Sequence, residues 1–287
     1  MTAHPLREEV FAKIAALGAR FDGDVMAATR AVIETLPDDA GDARRFVESV
    51  SYGPDPRHEI DVYSPGGTGR PVLVYVPGGG FVGGDKATYR RLGEYFARQG
   101  YLTLIGNYRL APAVQWPSGA QDVSAMVDWA VANAARYGGD PARTFVFGQS
   151  AGATHVAGAL FDPDLRPRNV SAVKAAVLAS GIYRIEPTDP ESGITKYFSD
   201  DASTYAKRSP LTHVGASRLP LLLLVAEYDP SFLGMPTLEL AGAVYARDGK
   251  CPPLLWLNRH NHVSYVLGMG SAIDAVGPEI VRFFEAA

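Results

Sequence analysis

A serine within a glycine-flanked turn is the residue best suited to covalent chemistry in this chain. Ser150 is the middle residue of the pentapeptide Gly148–Gly152, which reads Gly-Gln-Ser-Ala-Gly. It directly follows the apolar segment 144–147 and precedes a run of small residues, so we expect a strand to turn sharply into a helix with Ser150 at the apex. Flanking glycines leave room for neighbouring backbone because they have no Cβ. The pattern predicts a nucleophile, with a purely structural tight turn as the alternative.

Such a serine needs a base, and the base needs an acid that orients it. Among the 6 histidines, His260 and His262 follow a late strand that we predict to end near Leu257, where a loop can reach the serine. His262 is favoured because it lies nearer the loop apex and precedes the apolar Val263. His260 is then a supporting or solvent-exposed residue.

The acid should follow another strand and lie between serine and histidine in chain order. Asp229, within the segment Val225–Pro230, fits this place, and Glu227 is the alternative that directly abuts the strand. The four remaining histidines are less suitable by position, since they lie in the N-terminal tail, before an early strand, one turn beyond the serine, or in an irregular segment: His4, His58, His155 and His213.

A second glycine-rich segment, 77–85, follows another apolar run. Its spelling contains G-x-G-x-x-G, which also occurs in dinucleotide-binding turns. That interpretation is disfavoured because no helix opens on the third glycine and the next strand ends at Asn107 rather than at an acidic residue. Acyl transfer instead needs backbone N–H groups aimed at a developing oxyanion. We predict those donors at Gly79, Gly80 and Ala151.

Alternating strand and helix patterns must position these residues. Strands are predicted at 46–52, 59–63, 71–76, 101–106, 144–147, 172–179, 219–225 and 254–257. Helices are predicted at 6–36, 88–99 (with Thr88 as N-cap), 118–137, 151–160, 236–248 and 273–284. This order predicts an α/β fold with a mostly parallel central sheet and helices on both faces. The irregular stretch 180–218 between two strands is interpreted as a lid, because long loops inside compact domains are often functional.

Composition excludes several classes of protein. The 287 residues carry a net charge of −4, which gives no electrostatic case for nucleic acid binding. One cysteine, Cys251, excludes an intrachain disulfide and any multi-cysteine metal site. The charged N-terminal residues lack the apolar core of a signal peptide, and no apolar run reaches the length of a membrane span. We therefore expect a cytoplasmic protein without membrane insertion.

Five motifs, taken together and in order, resemble those of a known family. They are Pro77–Phe81, Asn107–Pro112, Gly148–Gly152, Tyr228–Pro230 and Asn261–His262. From about Val72 onward the chain resembles the hormone-sensitive-lipase-like carboxylesterases of the α/β-hydrolase superfamily. The resemblance implies an α/β-hydrolase fold with a small helical cap, no metal or organic cofactor, and possible homodimers. It also implies a Ser150–Asp229–His262 triad and an oxyanion hole at Gly79, Gly80 and Ala151.

On this basis we expect one α/β-hydrolase domain over residues 1–287, with an N-terminal helical cap element at 1–43 and a cap or lid insertion at 181–217. Two positions depart from the family pattern: Pro77 stands where a histidine normally opens the glycine motif, and Gln149 replaces a frequent acidic residue. The second departure and the compact segment after Ser180 also resemble arylformamidases.

The expected function is hydrolysis of short-chain or aryl carboxylic esters, small molecules, through an acyl-enzyme. An arylformamidase or another amide-cleaving hydrolase with the same triad is the alternative, and a non-catalytic ligand-binding protein is the third possibility. Six aromatic residues are candidates for an apolar substrate pocket, although aromatic side chains more often pack in the core: Phe81, Trp116, Tyr183, Phe198, Phe232 and Tyr265.

Overall fold

An eight-stranded sheet forms the centre of the computed structural model, which describes residues 5–37 and 45–287. The strands are β1 Phe46–Ser51, β2 Glu59–Tyr63, β3 Arg70–Val76, β4 Leu102–Gly106, β5 Gly139–Gln149, β6 Val173–Ala179, β7 Leu221–Tyr228 and β8 Leu254–Asn261. Their order across the sheet is β1-β2-β4-β3-β5-β6-β7-β8. Strand β2 is antiparallel to β1 and β4, and the other neighbours are parallel. The mostly parallel sheet predicted from the sequence is confirmed.

Helices alternate with these strands. They are α1 Pro5–Leu17, α2 Gly23–Glu34, α3 Arg90–Arg98, α4 Ser118–Asn133, α5 Ala151–Phe161, α6 Gly193–Phe198, α7 Tyr205–Arg208, α8 Pro210–His213, α9 Ser231–Asp248, α10 Ser264–Leu267 and α11 Gly277–Glu285. Within the described ranges, none of these helices has the length and apolar character needed to cross a bilayer.

The core lies on both faces of the sheet because successive strand residues point to opposite sides. Val72, Val74 and Val76 of β3 pack on one face with side chains of α4, α5 and α9. Leu73 and Tyr75 of the same strand pack on the other face with side chains of α3, α10 and α11. A central parallel strand covered on both sides reads as a continuous apolar run, as β3 does.

The region predicted to be helical over 6–36 consists of two helices, α1 and α2. Gly18 ends α1 in a left-handed conformation with φ 66°. Asp22 then caps α2 by accepting a hydrogen bond from the Val25 N–H at 2.8 Å. The break lets α1 pack against β8 while α2 approaches α10.

Two other helix starts were placed wrongly by the sequence patterns. Thr88 is not an N-cap, because it lies inside a 3₁₀ turn, Lys86–Tyr89, that is capped by Asp85. Helix α9 begins at Ser231, and Pro236 lies within it rather than at its start. Proline prefers the first turn of a helix, which is why the sequence suggested the later start.

The last helix also begins later than predicted. Asp274 accepts hydrogen bonds from the N–H groups of Val276 and Gly277 at 3.0 and 2.8 Å, and α11 starts only at Gly277. The carboxylate therefore satisfies the N–H groups around the helix start, as an N-terminal cap does.

The two predicted cap segments have different architectures. Residues 1–4 and 38–43 of the first segment lie outside the described residues, and its described part contains α1 and α2. The segment 181–217 is not irregular throughout, since it contains α6, α7 and α8. Whether the segments act as a cap stays a prediction.

Candidate active site

Ser150 lies at a strained turn between β5 and α5. Its φ of 55° and ψ of −126° are rare for a residue with a side chain. Its N–H donates to the Ala179 carbonyl at 2.8 Å, which fixes the turn to β6. A Cβ on Gly148 would lie 2.6 Å from the Gly152 carbonyl oxygen, and one on Gly152 would overlap the Val76 carbonyl. Both flanking glycines are therefore required by backbone contact.

His262 and Asp229 form a buried pair beside this turn. The Nδ1 atom of His262 lies 2.7 Å from Oδ1 of Asp229. Oδ2 of the same carboxylate accepts hydrogen bonds from the Ala226 N–H at 2.7 Å and the Ser180 hydroxyl at 2.6 Å. Since a carboxylate only accepts, Nδ1 of the imidazole must carry the proton, which leaves Nε2 free to accept one. A neutral histidine in this tautomer is suited to act as a base.

His260, the alternative base, makes different contacts from those of His262. Strand β8 does not end near Leu257 but continues to Asn261, so His260 lies in the strand rather than in a loop. Its Nδ1 contacts the Ser264 hydroxyl at 3.0 Å, and its ring meets Phe11 edge to face at 5.2 Å between centroids. Burial lowers the pKa of His260 to about 4. His260 therefore faces α1 rather than Asp229.

Glu227 forms a hydrogen bond at a local irregularity of the sheet. The register of β7 with β8 shifts between Ala226 and Tyr228, and Arg259 has a φ of 66°. The Glu227 carboxylate accepts a hydrogen bond from the Arg259 N–H at this bulge, at 2.6 Å. Its contact is with β8, while Asp229 contacts His262.

His155 lies on α5, one turn beyond Ser150, and is enclosed by aromatic rings. Its ring lies 4.6 to 5.3 Å, centroid to centroid, from those of Tyr108, Tyr197 and Phe81. Burial lowers the pKa of His155 to about 3. This histidine joins α5 to the glycine-rich segment and to α6 by packing.

The glycine-rich segment folds back against the serine turn. Gly79 and Gly80 have φ values of 152° and 60°, and the Gly83 N–H donates to the Gly79 carbonyl at 2.9 Å. A Cβ on Gly79 would overlap Gly83, whereas one on Gly80 would meet nothing within 4 Å. A Cβ on Gly152 would lie 2.5 Å from the Pro77 carbonyl oxygen, so the residue that departs from the family pattern contacts the serine turn through its backbone.

Polar side chains, some of them from the motif Asn107–Pro112, hold the end of this segment. The Asn107 side chain accepts from the Lys86 N–H at 2.7 Å and donates to Asp85 at 3.0 Å. Next to it, the buried Asp122 binds Arg109 through several hydrogen bonds, the shortest at 2.7 Å, and lies 3.1 Å from His58 Nε2. The motif around Asn107 therefore has a physical role in fixing two loops.

A cavity of about 380 Å³ opens at Ser150 and His262. The glycine-rich segment forms one side of it, and α2 together with Phe21 forms another. The start of α6 reaches the cavity at Gly193. The walls carry side chains that the sequence did not indicate: Phe21, Met26, Arg30, Val82, Asp85, Thr88, Tyr89 and Leu267. The Phe21 ring meets the His262 ring edge to face at 4.7 Å between centroids.

The six predicted pocket aromatics do not line this cavity. Four of them are buried in packing between elements: Phe81, Tyr183, Phe198 and Tyr265. Trp116 is partly buried beneath Arg208, whose guanidinium lies 5.5 Å from its ring. Phe232 is half exposed and lines a separate groove between α9 and the segment 182–194. The four buried rings pack in the core, and sequence composition alone does not distinguish such residues from those that line a pocket.

The predicted oxyanion donors lie around the same point. Gly79 and Gly80 border the cavity, and Ala151 begins α5 directly after Ser150, where helix N–H groups have no intrahelical partner. In residues 5–37 and 45–287 no group of three or more His, Cys, Asp or Glu side chains could hold a metal ion.

Comparison with known sequences points to esterases. A family model described as BD-FAE matches residues 60–160, which include the glycine-rich segment and Ser150. Esterase LipQ of Mycobacterium tuberculosis is 30% identical over 230 residues, covering 71% of this chain and 54% of LipQ. The chlorogenic acid esterase of Aspergillus niger is 30% identical over 185 residues, covering 59% of this chain and 35% of that protein. The chain thus spans about half, or less, of these relatives.

Solved structures share the architecture along the whole chain. An esterase of Pyrobaculum calidifontis superposes with a TM-score of 0.72 at 24% identity, covering 97% of this chain and 95% of that one. Esterase B of Lactobacillus rhamnosis superposes with a TM-score of 0.73 at 20% identity, covering 97% and 96%. These likenesses establish the fold. The chain has the α/β-hydrolase fold, and its similarity to esterases agrees with the predicted resemblance to hormone-sensitive-lipase-like carboxylesterases.

Proposed function

We propose that the protein hydrolyses carboxylic esters with Ser150 as nucleophile, His262 as base and Asp229 as the acid that orients the base. The observation that carries this proposal is the His262–Asp229 contact of 2.7 Å at a cavity that Ser150 also lines. The strained backbone of Ser150 supports it, since such strain persists where surrounding structure holds a residue for function.

In the proposed reaction, His262 Nε2 takes the proton of the Ser150 hydroxyl as Oγ attacks the ester carbonyl. Collapse of the tetrahedral intermediate expels the alcohol, which receives the proton from Nε2. Water, deprotonated by the same nitrogen, then attacks the acyl-serine carbonyl. The second tetrahedral intermediate releases the acid as Nε2 returns the proton to Ser150 Oγ. Asp229 fixes the tautomer and stabilises the imidazolium that forms in each half-reaction.

We further propose that the backbone N–H groups of Gly79, Gly80 and Ala151 stabilise the oxyanion. Loss of one such donor costs about 2.7–4 kcal/mol in enzymes that use it. The positive φ values of Gly79 and Gly80 support this role, because they turn the peptide planes in a way that residues with side chains rarely adopt.

The size of the cavity favours small substrates. A volume of about 380 Å³ is near the lower end of the roughly 300–1,000 Å³ typical of ligand pockets. We propose short-chain or aryl esters, with the acyl or alcohol group against Phe21, Met26 and Leu267. The relatives are named for ester cleavage, and no contact in the cavity favours an amide substrate, so the arylformamidase alternative is not advanced.

Replacement of the nucleophile tests the proposal. The Ser150→Ala variant should lose about 10⁴-fold or more in kcat on p-nitrophenyl acetate, because the acyl-enzyme route is removed. Ser171→Ala, which removes the same hydroxyl from an exposed serine, is the matched control and should retain wild-type rates. Near-normal turnover by a correctly folded Ser150→Ala variant would overturn the assignment.

The choice of base has its own test. His262→Ala should lose activity on the same scale, while His260→Ala should keep a measurable fraction of it, since His260 contacts α1 and Ser264. Loss of activity only in His260→Ala would show that the base is wrongly assigned. The same substrate panel should include N-formylkynurenine, and faster turnover of that amide than of any ester would contradict the proposed substrate class.

A further inference from the structure

Gln149, the residue directly before the proposed nucleophile, is buried and points its carboxamide at the proposed base. Its Nε2 atom lies 3.0 Å from the His262 carbonyl oxygen and 3.3 Å from Nε2 of the imidazole. A carbonyl oxygen only accepts, so the amide nitrogen must be the group that faces it. The same NH₂ then has a second hydrogen directed at the ring.

The contact with the ring is chemically specific. Because Nδ1 carries the proton that binds Asp229, the ring Nε2 presents a lone pair, which the Gln149 N–H meets as a donor. At 3.3 Å this is a long, weak hydrogen bond, whereas the bond to the backbone carbonyl has a normal length. The weaker bond can be given up while the stronger one keeps the glutamine in place.

Further buried side chains extend the polar contacts behind the proposed base and acid. The Tyr265 hydroxyl donates to the Ser180 hydroxyl at 3.2 Å, and Ser180 donates to Asp229 at 2.6 Å. Burial raises the pKa of Tyr265 well above its ordinary value, and polar contacts with Ser180 and Gln149 oppose that rise. The polar contacts therefore run from Gln149 through His262, Asp229 and Ser180 to Tyr265.

The other side of the Gln149 carboxamide is equally confined. A Cβ on Gly78 would overlap the amide oxygen of Gln149, so the glycine-rich segment leaves space for this side chain. Gln149 thus contacts the glycine-rich segment, the serine turn and the loop of His262 at once. A buried polar network of this kind restricts the arrangement of its members.

We infer that Gln149 is a positioning residue: its carboxamide holds the His262 loop against the serine turn, and it keeps the Nε2 lone pair of the base oriented until the Ser150 hydroxyl replaces it. The inference rests on the proposed function. Gln149 acts through His262 and does not itself touch the reacting ester. A neutral donor suits this place because it favours the unprotonated Nε2 that a base requires.

A charged replacement should reverse that preference. The charged groups near the His262 ring are Asp229 from the end of β7, Arg30 from α2 and Asp85 from the glycine-rich segment. The neighbouring hydroxyl groups come from Tyr89, Tyr265 and Ser180. A carboxylate at 149 would add an acceptor directly at Nε2 and favour the protonated imidazolium. The resulting base would be available only at higher pH.

Three variants test the inference on the full chain with p-nitrophenyl acetate. Gln149→Met keeps the approximate volume but removes both hydrogen bonds, and kcat should fall at least about tenfold with little change in KM, as expected for loss of a buried hydrogen bond. Gln149→Glu should move the acidic limb of the kcat/KM profile to higher pH. Tyr265→Phe, which removes only a hydroxyl from the ring, should lower kcat by about threefold. Gln121→Met, at an exposed glutamine on α4, is the matched control and should behave as wild type.

If Gln149 has only a structural role, the pH profile of Gln149→Glu should coincide with that of the wild type, and this result would overturn the inference. A wild-type kcat in Gln149→Met would overturn it as well. If Gln149→Met does not fold, the pH profile of Gln149→Glu and the kcat of Tyr265→Phe decide whether the inference holds. If the wild-type protein hydrolyses no ester, the proposed function fails separately. Proton NMR titration of the His262 ring then tests the contact, and an unchanged midpoint in Gln149→Glu would refute it.

Discussion

The two sides of the cavity at Ser150 are built in different ways. The floor consists of the serine turn and the glycine-rich segment, where backbone meets backbone so closely that a Cβ on Gly79 or Gly152 would overlap a neighbour. The walls consist of side chains from α2 and from residues around its start, such as Phe21 and Met26. At Gly79 and Gly152 this floor has no room for an added atom, whereas a wall made of side chains can change shape. Chemistry should therefore depend on the floor and substrate choice on the wall.

The most stringent test of this difference between floor and wall is to add one methyl group to the floor. Gly152→Ala should lower the free energy of unfolding by about 2–4 kcal/mol and abolish most activity, because the new Cβ overlaps the Val76 carbonyl. Gly242→Ala in α9 is the matched control, since a Cβ there meets nothing within 4 Å and should be neutral or stabilising by about 0.5–1 kcal/mol. Urea unfolding measures the change in stability of each variant, and ester hydrolysis measures the change in activity. Equal behaviour of the two variants would show that the floor is not clamped.

The contact between α5 and α6 should appear in the pH dependence of stability. His155 of α5 packs against Tyr197 of α6, and burial lowers the pKa of His155 to about 3 from an ordinary value near 6.5. A histidine whose pKa is lower in the folded state binds protons preferentially when unfolded. Its neutral burial therefore costs stability progressively as the pH falls from about 6.5 toward 3, by about 2 kcal/mol at pH 5.

His155→Phe should remove that loss. The difference in unfolding free energy between pH 7.5 and pH 5 should be smaller in the variant than in the wild type by about 2 kcal/mol, whatever the change in stability at pH 7.5. Chemical denaturation at the two pH values measures it. An identical difference in both proteins would mean that His155 is not buried as neutral imidazole.

The wall should respond more mildly. Phe21→Ala enlarges the cavity beside His262 and should change the KM values of short and long p-nitrophenyl esters by several-fold relative to each other, with a smaller effect on kcat. Phe46→Ala, at an exposed phenylalanine on β1, is the control and should leave both constants unchanged. A loss of kcat as large as that expected for Gly152→Ala would erase the distinction between wall and floor.

The same physical difference decides what could be predicted from the sequence. The turn at Ser150 and the glycines near it are visible because only glycine fits such contacts. The sheet and the place of Asp229 follow from the alternation of strands and helices and from chain order. The end of β8 was missed because its polar residues, with Arg259 at a bulge, do not resemble a buried strand.

The side chains that form the walls could not be predicted from the sequence, for a related reason. Phe21 contacts His262 although most of the sequence lies between them, and no local spacing indicates that contact. Phe81 and Tyr265 are aromatic and close to the motifs in sequence, yet they pack in the core. Burial of an aromatic ring depends on tertiary contacts that composition does not contain. Gln149 was noticed only as a departure from a family pattern, and its contacts with His262 give it a physical meaning.

Covalent labelling tests the central claim most directly. A fluorophosphonate requires an activated serine, so the proposed mechanism predicts one adduct per chain, located on Ser150 by peptide mass spectrometry. Labelling should be strongly slowed in His262→Ala and absent in Ser150→Ala. An adduct on a different serine, or an unlabelled wild-type protein that is correctly folded, would contradict the assignment of Ser150 as the nucleophile.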